Sequence, residues 1–378
     1  MTIKPFDEPI YVTRPLLPPI EAVHARLAEI WEARWLTNDG PQHVRLTQAI
    51  ADYLAVPQVS LFNNGTIALL AAVRALGMRG EVITTPFTFP ATPHAISWGG
   101  ATPVFCDIDP ETMTIDPAKI EELITPRTTG ILAVHVYGIP CDVGALQAIA
   151  NRRGLRVVYD AAHAFGTKIN GVGIGNFGDA SMFSFHATKL FHSAEGGALT
   201  TPKADHKAAF DHLKNFGILN QEAVDVVGIN GKMNELQAAL GLAVLDCVAD
   251  EVKRRQAIIA RYRERLGGLA GLTLMPEPPG VESSCQYFVI RLDRAGFGAT
   301  RDEVFDTLKR YNVLARKYFF PLCTDYACYS DLPSAGPGRL PVAHTIVDQV
   351  LCLPLYGTLP LDAVDTICDV VHGVQARA

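Results

Sequence analysis

Two apolar runs in the middle of this chain each end on residues able to do chemistry. LRVVY (155–159) is a short, nearly continuous apolar run of the kind that forms a buried strand, and it delivers Asp160. After a glycine-rich turn, ASMFSF (180–185) delivers Ser184, His186 and Lys189 in the same way. In open α/β sheets the carboxyl ends of the strands are where ligands bind. Taken alone, Asp160 and Lys189 fit a turn-capping carboxylate and a solvated lysine as well as they fit a site, so the surrounding chain has to decide.

The chemistry that most often needs such a pair is that of pyridoxal phosphate (PLP). A lysine holds its aldehyde as a Schiff base, and an Asp keeps its ring nitrogen protonated so that the ring can take up electrons from a substrate carbanion. Asp160 would raise the pKa of that nitrogen by placing an opposite charge beside it. Lys189 would be the covalent tether and, once released, the proton shuttle.

The elements that must position these residues read as follows. Residues 1–19 are proline-rich and suit an extended arm lying on another surface. Helical spacing of apolar residues over 20–35 is stopped by TNDGP, and a second helix is expected over 44–54. VSLF then forms a strand, NNG a tight turn, and Thr66 opens the apolar helix TIALLAAVRAL. Backbone N–H groups of Gly65 and Thr66 at a helix start, with the positive end of the dipole behind them, make a phosphate site. Thr66 as a simple N-cap is the plainer alternative.

Strands EVITT, TPVFCDI, GILAVHV and LRVVY alternate with helices over 91–98, 117–123 and 143–151, which means βαβ units and a mostly parallel sheet. Phe87 sits at another strand end, where its ring suits either the core or the face of a planar cofactor. Gly173, Gly175 and Gly178 match GxGxxG, but a strand rather than a helix follows, so this is a connecting turn and no nicotinamide fingerprint. Helices are expected over 204–215 and after the loop carrying Asn230, with Met233, Leu236, Leu240 and Leu245 near one face, and a separate long helix over 252–266. Strand QYFVIRL, a helix over 301–311 and VLARKYFFPL suggest a final α+β domain.

Composition narrows the partners. With 378 residues and 48% hydrophobic content the chain can bury a real core, and its net charge of -6 argues against a nucleic-acid binder. Eight scattered cysteines without CxxC or paired His spacing signal neither a metal site nor a disulfide framework, and read as buried thiols in a reducing compartment. No leader pattern opens MTIKPFDEPI and no run reaches the roughly 18 apolar residues of a membrane span. A cytoplasmic protein acting on a small diffusible substrate is expected, with no membrane partner.

The series NNGTIAL, TPFTFPAT, PVFCDID, YDAAHAFG, GNFGDASMFSFHATK, EGGAL, LKNFGI and GINGKMNELQAALGL covers nearly the whole chain in order. It resembles the DegT/DnrJ/EryC1/StrS family of PLP-dependent sugar aminotransferases. WLTNDGP, FSFHATK and LARKYFFPL most resemble the members that aminate C4 of a dTDP-4-keto-6-deoxyhexose. The resemblance implies an aspartate-aminotransferase-like α/β fold (PLP fold type I), with a large, mostly parallel seven-stranded sheet domain over 1–248 and a smaller α+β domain over 249–378.

It also implies roles. Lys189 is the Schiff-base lysine, Asp160 the partner of the ring nitrogen, and His163 a contact near the phenolic oxygen. Gly65, Thr66 and Ser184 take the phosphate, Phe87 stacks on the ring, and Asn230 reaches the phosphate from the neighbouring subunit of a homodimer. Lys317 and Tyr318 fall where substrate binds; Lys317 stands where close relatives often have Arg, and Asn64 where many have Ser. The expected reaction moves an amino group from L-glutamate to C4 of a nucleotide-linked 4-keto-6-deoxysugar such as dTDP-4-keto-6-deoxyglucose. A C3 aminotransferase, a PLP-dependent sugar dehydratase and a non-catalytic regulator on the same fold are the alternatives. Lys189 speaks against the dehydratase, which carries His there.

Overall fold

The computed structural model of the chain describes residues 3–376. Its elements run β1 (Ile10–Tyr11), α1 (Ile20–Ala33), α2 (Pro41–Leu54), β2 (Gln58–Phe62), α3 (Gly65–Ala75), β3 (Gly80–Thr84), α4 (Ala91–Trp98), β4 (Ala101–Phe105), β5 (Thr128–Val134), α5 (Val143–Arg153) and β6 (Arg156–Asp160). They continue with β7 (Lys168–Ile169), β8 (Val172–Gly173), β9 (Ala180–Ser184), β10 (Gly197–Thr201), α6 (Ala204–Lys214), β11 (Ile218–Asn220), β12 (Ala223–Val224), α7 (Glu235–Leu266), β13 (Leu272–Leu274) and β14 (Val281–Glu282). The last are β15 (Phe288–Leu292), α8 (Arg294–Phe297), α9 (Arg301–Arg310), β16 (Val313–Leu314), α10 (Pro341–Val347), β17 (Val350–Leu353) and α11 (Leu361–Gln375).

Seven strands form the expected central sheet in the order β2-β10-β9-β6-β5-β3-β4. All neighbours are parallel except β10, which runs antiparallel to both β2 and β9. These strands are near-continuous apolar runs because helices cover both faces, the usual condition of a parallel sheet. Register places Thr84 beside Phe105, Val134 beside Asp160, Asp160 beside Met182, and Ser184 beside Gly197. The carboxyl ends of β3, β5, β6 and β9 therefore share one edge. Because β10 starts at that edge, the carboxyl end of β2 arrives there too, and with it the first turn of α3.

A second body is built on the antiparallel sheet β13-β15-β17. Phe288, Ile290, Leu351 and Leu353 from that sheet pack with Val304 and Leu308 of α9 and Ile367 and Val371 of α11. The arm lies on this body, as an extended segment should: β1 pairs in parallel with β16, and Phe6 and Ile10 donate their N–H groups to Tyr311 and Asn312 at 3.2 and 2.8 Å. Of the arm expected over 1–19, residues 1 and 2 lie outside the described residues. No helix among the described residues is long and apolar enough to cross a membrane.

Three local expectations need correction. Residues 117–123 form two three-residue 3₁₀ turns, Pro117–Lys119 and Glu121–Leu123, in place of a helix. Lys119 is tied to Asp107 at 3.0 Å, and the chain becomes extended at Ile124, which leaves too little length for an α-helix. The helices expected around 236–245 and over 252–266 are one 32-residue helix, α7, opened by a capping box of Asn234 and Gln237. The boundary expected between 248 and 249 falls inside it. Its first half gives Ala238, Leu242, Val244 and Val248 to the core beside the large sheet, and its second half gives Ile258, Tyr262 and Leu266 to the core of the smaller body. Of the eight free cysteines, six are buried, but Cys247 is only half-buried and Cys328 is exposed.

Where α7 passes between the two cores, Arg255 and Glu251 are both nearly inaccessible and pair at 2.7 Å, and Glu251 also accepts the Gly357 N–H at 2.7 Å. Burial pushes the Glu251 carboxyl up, but Arg255, together with the Gly357 N–H and Arg254, outweighs it and holds the group below its ordinary pKa. Stability from a depressed carboxyl is present above its unfolded pKa and is lost as pH falls through the folded one. Arg255→Met, which leaves Glu251 only the half-exposed Arg254 at 3.1 Å, is therefore expected to cost about 1.5 to 3 kcal/mol at neutral pH, the scale of a lost hydrogen bond to a charged group. Urea unfolding should show the gap between variant and native narrowing on the acid side, as Glu251 becomes protonated; a gap independent of pH would contradict the pairing.

Candidate functional site

A cavity of about 660 Å³ opens at the shared strand edge. Asp160 and Lys189 both line it, one at the last residue of β6 and the other in the loop after β9. Asp160 is 5% exposed; its Oδ2 accepts the hydroxyl of Thr92 at 2.7 Å and its Oδ1 the N–H of Ala162 at 3.0 Å. Burial raises its pKa, against the Thr92 and Ala162 hydrogen bonds and the charge of Lys189. Burial brings the Lys189 amine down to about 8, with Asp160 acting in the opposite direction. The two groups feel each other's charge, and among the described residues no ion pair joins them. An acid and an amine that face one cavity without closing on each other leave room for a ligand between them.

A larger cavity, about 780 Å³, lies beside the second half of α7. Its charged groups are already matched, Lys168 with Glu282 at 3.1 Å and Arg263 with Glu277 at 2.9 Å. The chemistry therefore points to the smaller one.

Gly65, Thr66 and Ser184 come together on one wall of the site cavity. The N-cap of α3 is Asn64, whose side chain accepts the Ile67 N–H at 2.8 Å, so Thr66 is not the cap. That leaves the Gly65 and Thr66 N–H groups without an acceptor among the described residues, at the positive end of an 11-residue helix. The approach is tight: a Cβ on Gly65 would lie 3.0 Å from the Met182 sulfur and 3.2 Å from the Ser184 Cβ, and one on Gly197 would lie 2.7 Å from the Gly65 nitrogen. Glycine at both places lets the helix start against β9 and β10, with its donors and the Ser184 hydroxyl facing one spot. That is an anion cradle.

His163 lines the cavity, with its ring parallel to Phe319 at 5.7 Å and its Nδ1 accepting the Tyr137 N–H at 3.2 Å. Burial keeps the ring neutral, so Nε2 carries the proton. Tyr318 lines the cavity as expected.

Phe87, Lys317 and Asn230 do not line the cavity of their own chain. Phe87 is fully buried, held edge-on by Tyr137 at 6.0 Å and Phe319 at 5.9 Å, and does not border the cavity. Its neighbour Phe89, 56% exposed, does. Lys317 points away, paired with Asp302 at 2.6 Å and 4.4 Å from the centre of the Phe305 ring. Arg316 lines the cavity in its place, over the Tyr318 ring at 5.0 Å and hydrogen-bonded to its hydroxyl, with no carboxylate partner among the described residues. Asn230 is exposed and lies outside the cavity of its own chain; its backbone pairs with Asn215, and it is Asn234 that caps α7. Sequence reasoning missed Phe89, Arg316 and Thr92. Phe89 and Arg316 each stand within two positions of a residue that was chosen, and only the direction of the loop separates them.

No group of three or more His, Cys, Asp or Glu side chains among the described residues is placed to hold a metal. Residues 20–372 match the DegT/DnrJ/EryC1/StrS aminotransferase family. The chain belongs to this family. A dTDP-4-amino-4,6-dideoxy-D-glucose transaminase of Escherichia coli is 43% identical over 370 residues, covering 97% of this chain and 99% of the relative. One of the same name from Shigella dysenteriae is 41% identical over 369 residues, covering 98% and 100%. The crystal structure of DesI in the presence of its TDP-sugar product superposes with a TM-score of 0.94 at 36% identity, covering 99% of this chain and 95% of that one.

DegT/DnrJ/EryC1/StrS membership implies PLP, and the cavity fits it: an anion cradle at one end, an exposed aromatic ring at its rim, and a buried acid and an amine held apart. The amine is suited to bond formation. With its pKa near 8, about a tenth of Lys189 is uncharged at pH 7, against roughly one part in a few thousand for an ordinary lysine. Trace acetylation of the apoprotein followed by mass spectrometry should show Lys189 reacting with a midpoint near pH 8, well below the surface lysines. Asp160→Asn, by removing the charge that favours the ammonium, should move that midpoint lower still; no movement would mean the two groups are not coupled.

The two phenylalanines make a second pair of outcomes. Phe87→Ala should cost about 3 to 5 kcal/mol in urea unfolding, as a large core deletion does. Phe89→Ala should leave the unfolding midpoint near native yet weaken PLP binding by roughly five- to tenfold, the worth of one aromatic contact. The reverse pattern would restore Phe87 as the stacking ring.

Proposed function

We propose that the chain transfers the amino group of L-glutamate to C4 of dTDP-4-keto-6-deoxyglucose, using PLP. The observation that carries this reading is Lys189 and Asp160 facing one cavity from adjacent strand ends, unpaired, in a chain 43% identical to a transaminase that makes the corresponding amino sugar. When bound, PLP supplies the electron sink that lets a Cα–H bond break beside an amine.

The chain's residues do the rest. Gly65 and Thr66 would donate backbone N–H groups to the phosphate, Ser184 would add its hydroxyl, and Phe89 would hold the ring. Asp160 holds the proton on the ring nitrogen, and the Nε2–H of His163 is available to the phenolic oxygen. Lys189 would tether the cofactor and, once displaced, its neutral Nζ would be the group that takes up the proton from Cα of glutamate and later releases it. With the ketosugar, the same amine moves protons in the opposite sense. Arg316, a guanidinium without a carboxylate partner, takes an anionic group of the substrate, and Tyr318 beside it orients the sugar. We place the enzyme in the cytoplasm as a homodimer in which Asn230 of a second copy completes the phosphate site.

Incubation of the purified protein with L-glutamate and dTDP-4-keto-6-deoxyglucose should give the 4-amino-4,6-dideoxy sugar and 2-oxoglutarate. A 3-amino product would favour the C3 reading, and loss of a hydroxyl group the dehydratase. Lys189→Ala should abolish turnover while keeping the native melting temperature. For the shared site, dimers pairing a Lys189→Ala chain with an Asn230→Ala chain are decisive, given that Asn230→Ala alone is impaired. If Asn230 acts across the interface, one site of the mixed dimer carries both lesions and the other none, so activity should return toward half the native value. No recovery in well-formed mixed dimers would sink the shared-site assignment.

A further inference from the structure

A short chain of hydroxyls ends on Asp160. The Oγ1 atoms of Thr88 and Thr92 are 2.8 Å apart, and Thr92 Oγ1 is 2.7 Å from Asp160 Oδ2. An ionised carboxylate accepts hydrogen bonds and donates none, so the polarity of the whole chain is set: Thr92 donates to Asp160, and Thr88 donates to Thr92. Both threonines are buried, 1% and 0% exposed; Thr88 borders the site cavity and Thr92 stands one step further from it. Thr88 is held in turn by its carbonyl, which accepts the Cys323 thiol at 3.2 Å. Thr92 stands in the first turn of α4, with its N–H bonded to the Phe89 carbonyl at 3.2 Å, so its hydroxyl is presented to Asp160 by a rigid element and not by a loose loop.

We propose that Thr92, supported by Thr88, is a positioning residue that orients the Asp160 carboxylate and keeps it fit to hold the proton on the ring nitrogen of PLP. The proposal rests on the reading of Asp160 as the partner of that nitrogen, and goes one residue beyond it. The physical need is plain. Burial is the largest influence on Asp160 and disfavours its charge, and the Thr92 hydrogen bond is the leading influence in the other direction, ahead of the Ala162 N–H and the charge of Lys189. The titratable groups that face Asp160 from the elements around it are Lys189 after β9, His163 after β6 and Cys141 after β5. His163 is neutral and Cys141 stays protonated, both because they are buried, so Lys189 is the charged neighbour among them. Lys189 has to leave when substrate arrives; Thr92 does not.

The test uses the PLP-loaded enzyme and its Thr92→Val, Thr92→Ser, Thr88→Val and Asp160→Asn variants, with two readouts. One is the pH dependence of glutamate deamination in a single half-reaction, and the other the pH titration of the bound cofactor's visible absorption. Without the Thr92 donor, Asp160 is protonated at higher pH, so the acid limb and the spectral titration of Thr92→Val should both move upward by about one to two pH units, the scale of a hydrogen bond to a charged group. The rate should fall about ten- to a hundredfold while KM for glutamate changes by less than about threefold. Thr92→Ser, which keeps the hydroxyl, should restore most of the native acid limb, a rescue that a purely packing role would not produce. If Asp160→Asn alters both readouts and Thr92→Val alters neither, the positioning role of Thr92 is overturned and the reading of Asp160 stands. If Asp160→Asn itself leaves both unchanged, Asp160 is not the partner of the ring nitrogen and the role of Thr92 falls with it. Should Thr92→Val not fold, Thr88→Val is read the same way: an upward shift supports the chain of hydroxyls and an unmoved acid limb overturns it.

Discussion

A carboxylate and an amine buried in one cavity, close enough to shift each other's pKa yet not in contact, form the constraint on which the rest of the structure depends. Each charge loses several kcal/mol of hydration on burial, and an ion pair would be the easy remedy. The fold denies them that remedy by fixing them on neighbouring strands. Asp160 ends β6 opposite Met182 of β9, while Lys189 lies beyond the end of β9 in a loop anchored by its own N–H to the His186 carbonyl at 2.9 Å. The sheet thus holds an acid and an amine at a set separation, with room between them in the cavity for a ligand.

The same edge gathers the remaining functions because of one reversed strand. If β10 ran parallel like its neighbours, its start would lie at the far edge and its close contact with α3 would be lost. Instead Gly197 opens β10 beside Ser184 and Phe62, and its missing side chain makes room for the backbone of Asn64 and Gly65. The anion cradle is therefore a consequence of backbone packing, with side chains adding only the Ser184 hydroxyl. On the opposite side, the smaller body supplies Arg316 and Tyr318, and a bridge between Arg316 and Cys352 of β17 ties that wall of the cavity to the antiparallel sheet.

The residues misassigned from sequence fail in one way. Arg316 and Lys317 are adjacent, and in extended backbone adjacent side chains point to opposite faces. Once the bridge to Cys352 sets the register, Arg316 faces the cavity and Lys317 faces Asp302 on α9. Phe87 and Phe89 follow the end of β3, where the Thr85 hydroxyl accepts the Phe87 N–H at 3.1 Å and turns the chain inward; Phe87 enters the core and Phe89 emerges at the head of α4. Neither direction is written in the local pattern. The split of α7 into two helices is a different failure, since a charged stretch after Val248 reads as a break when it is in fact the passage between two cores.

What the sequence determined by itself is most strands and helices of the large sheet domain, their α/β order and the strand ends that carry Asp160, Ser184 and Lys189. Those follow from hydrophobic periodicity, glycine and capping chemistry, which act over a few residues at a time. The family, too, is legible in the run of motifs along the chain. Tertiary structure alone decided which neighbour of a pair faces the cavity, that β10 is reversed, that Thr92 reaches Asp160 across 68 positions of chain, and that Arg316 is left without an acid partner. These are relations between segments far apart in sequence. They depend on register and on which groups burial leaves unpaired, and neither exists until the chain has folded.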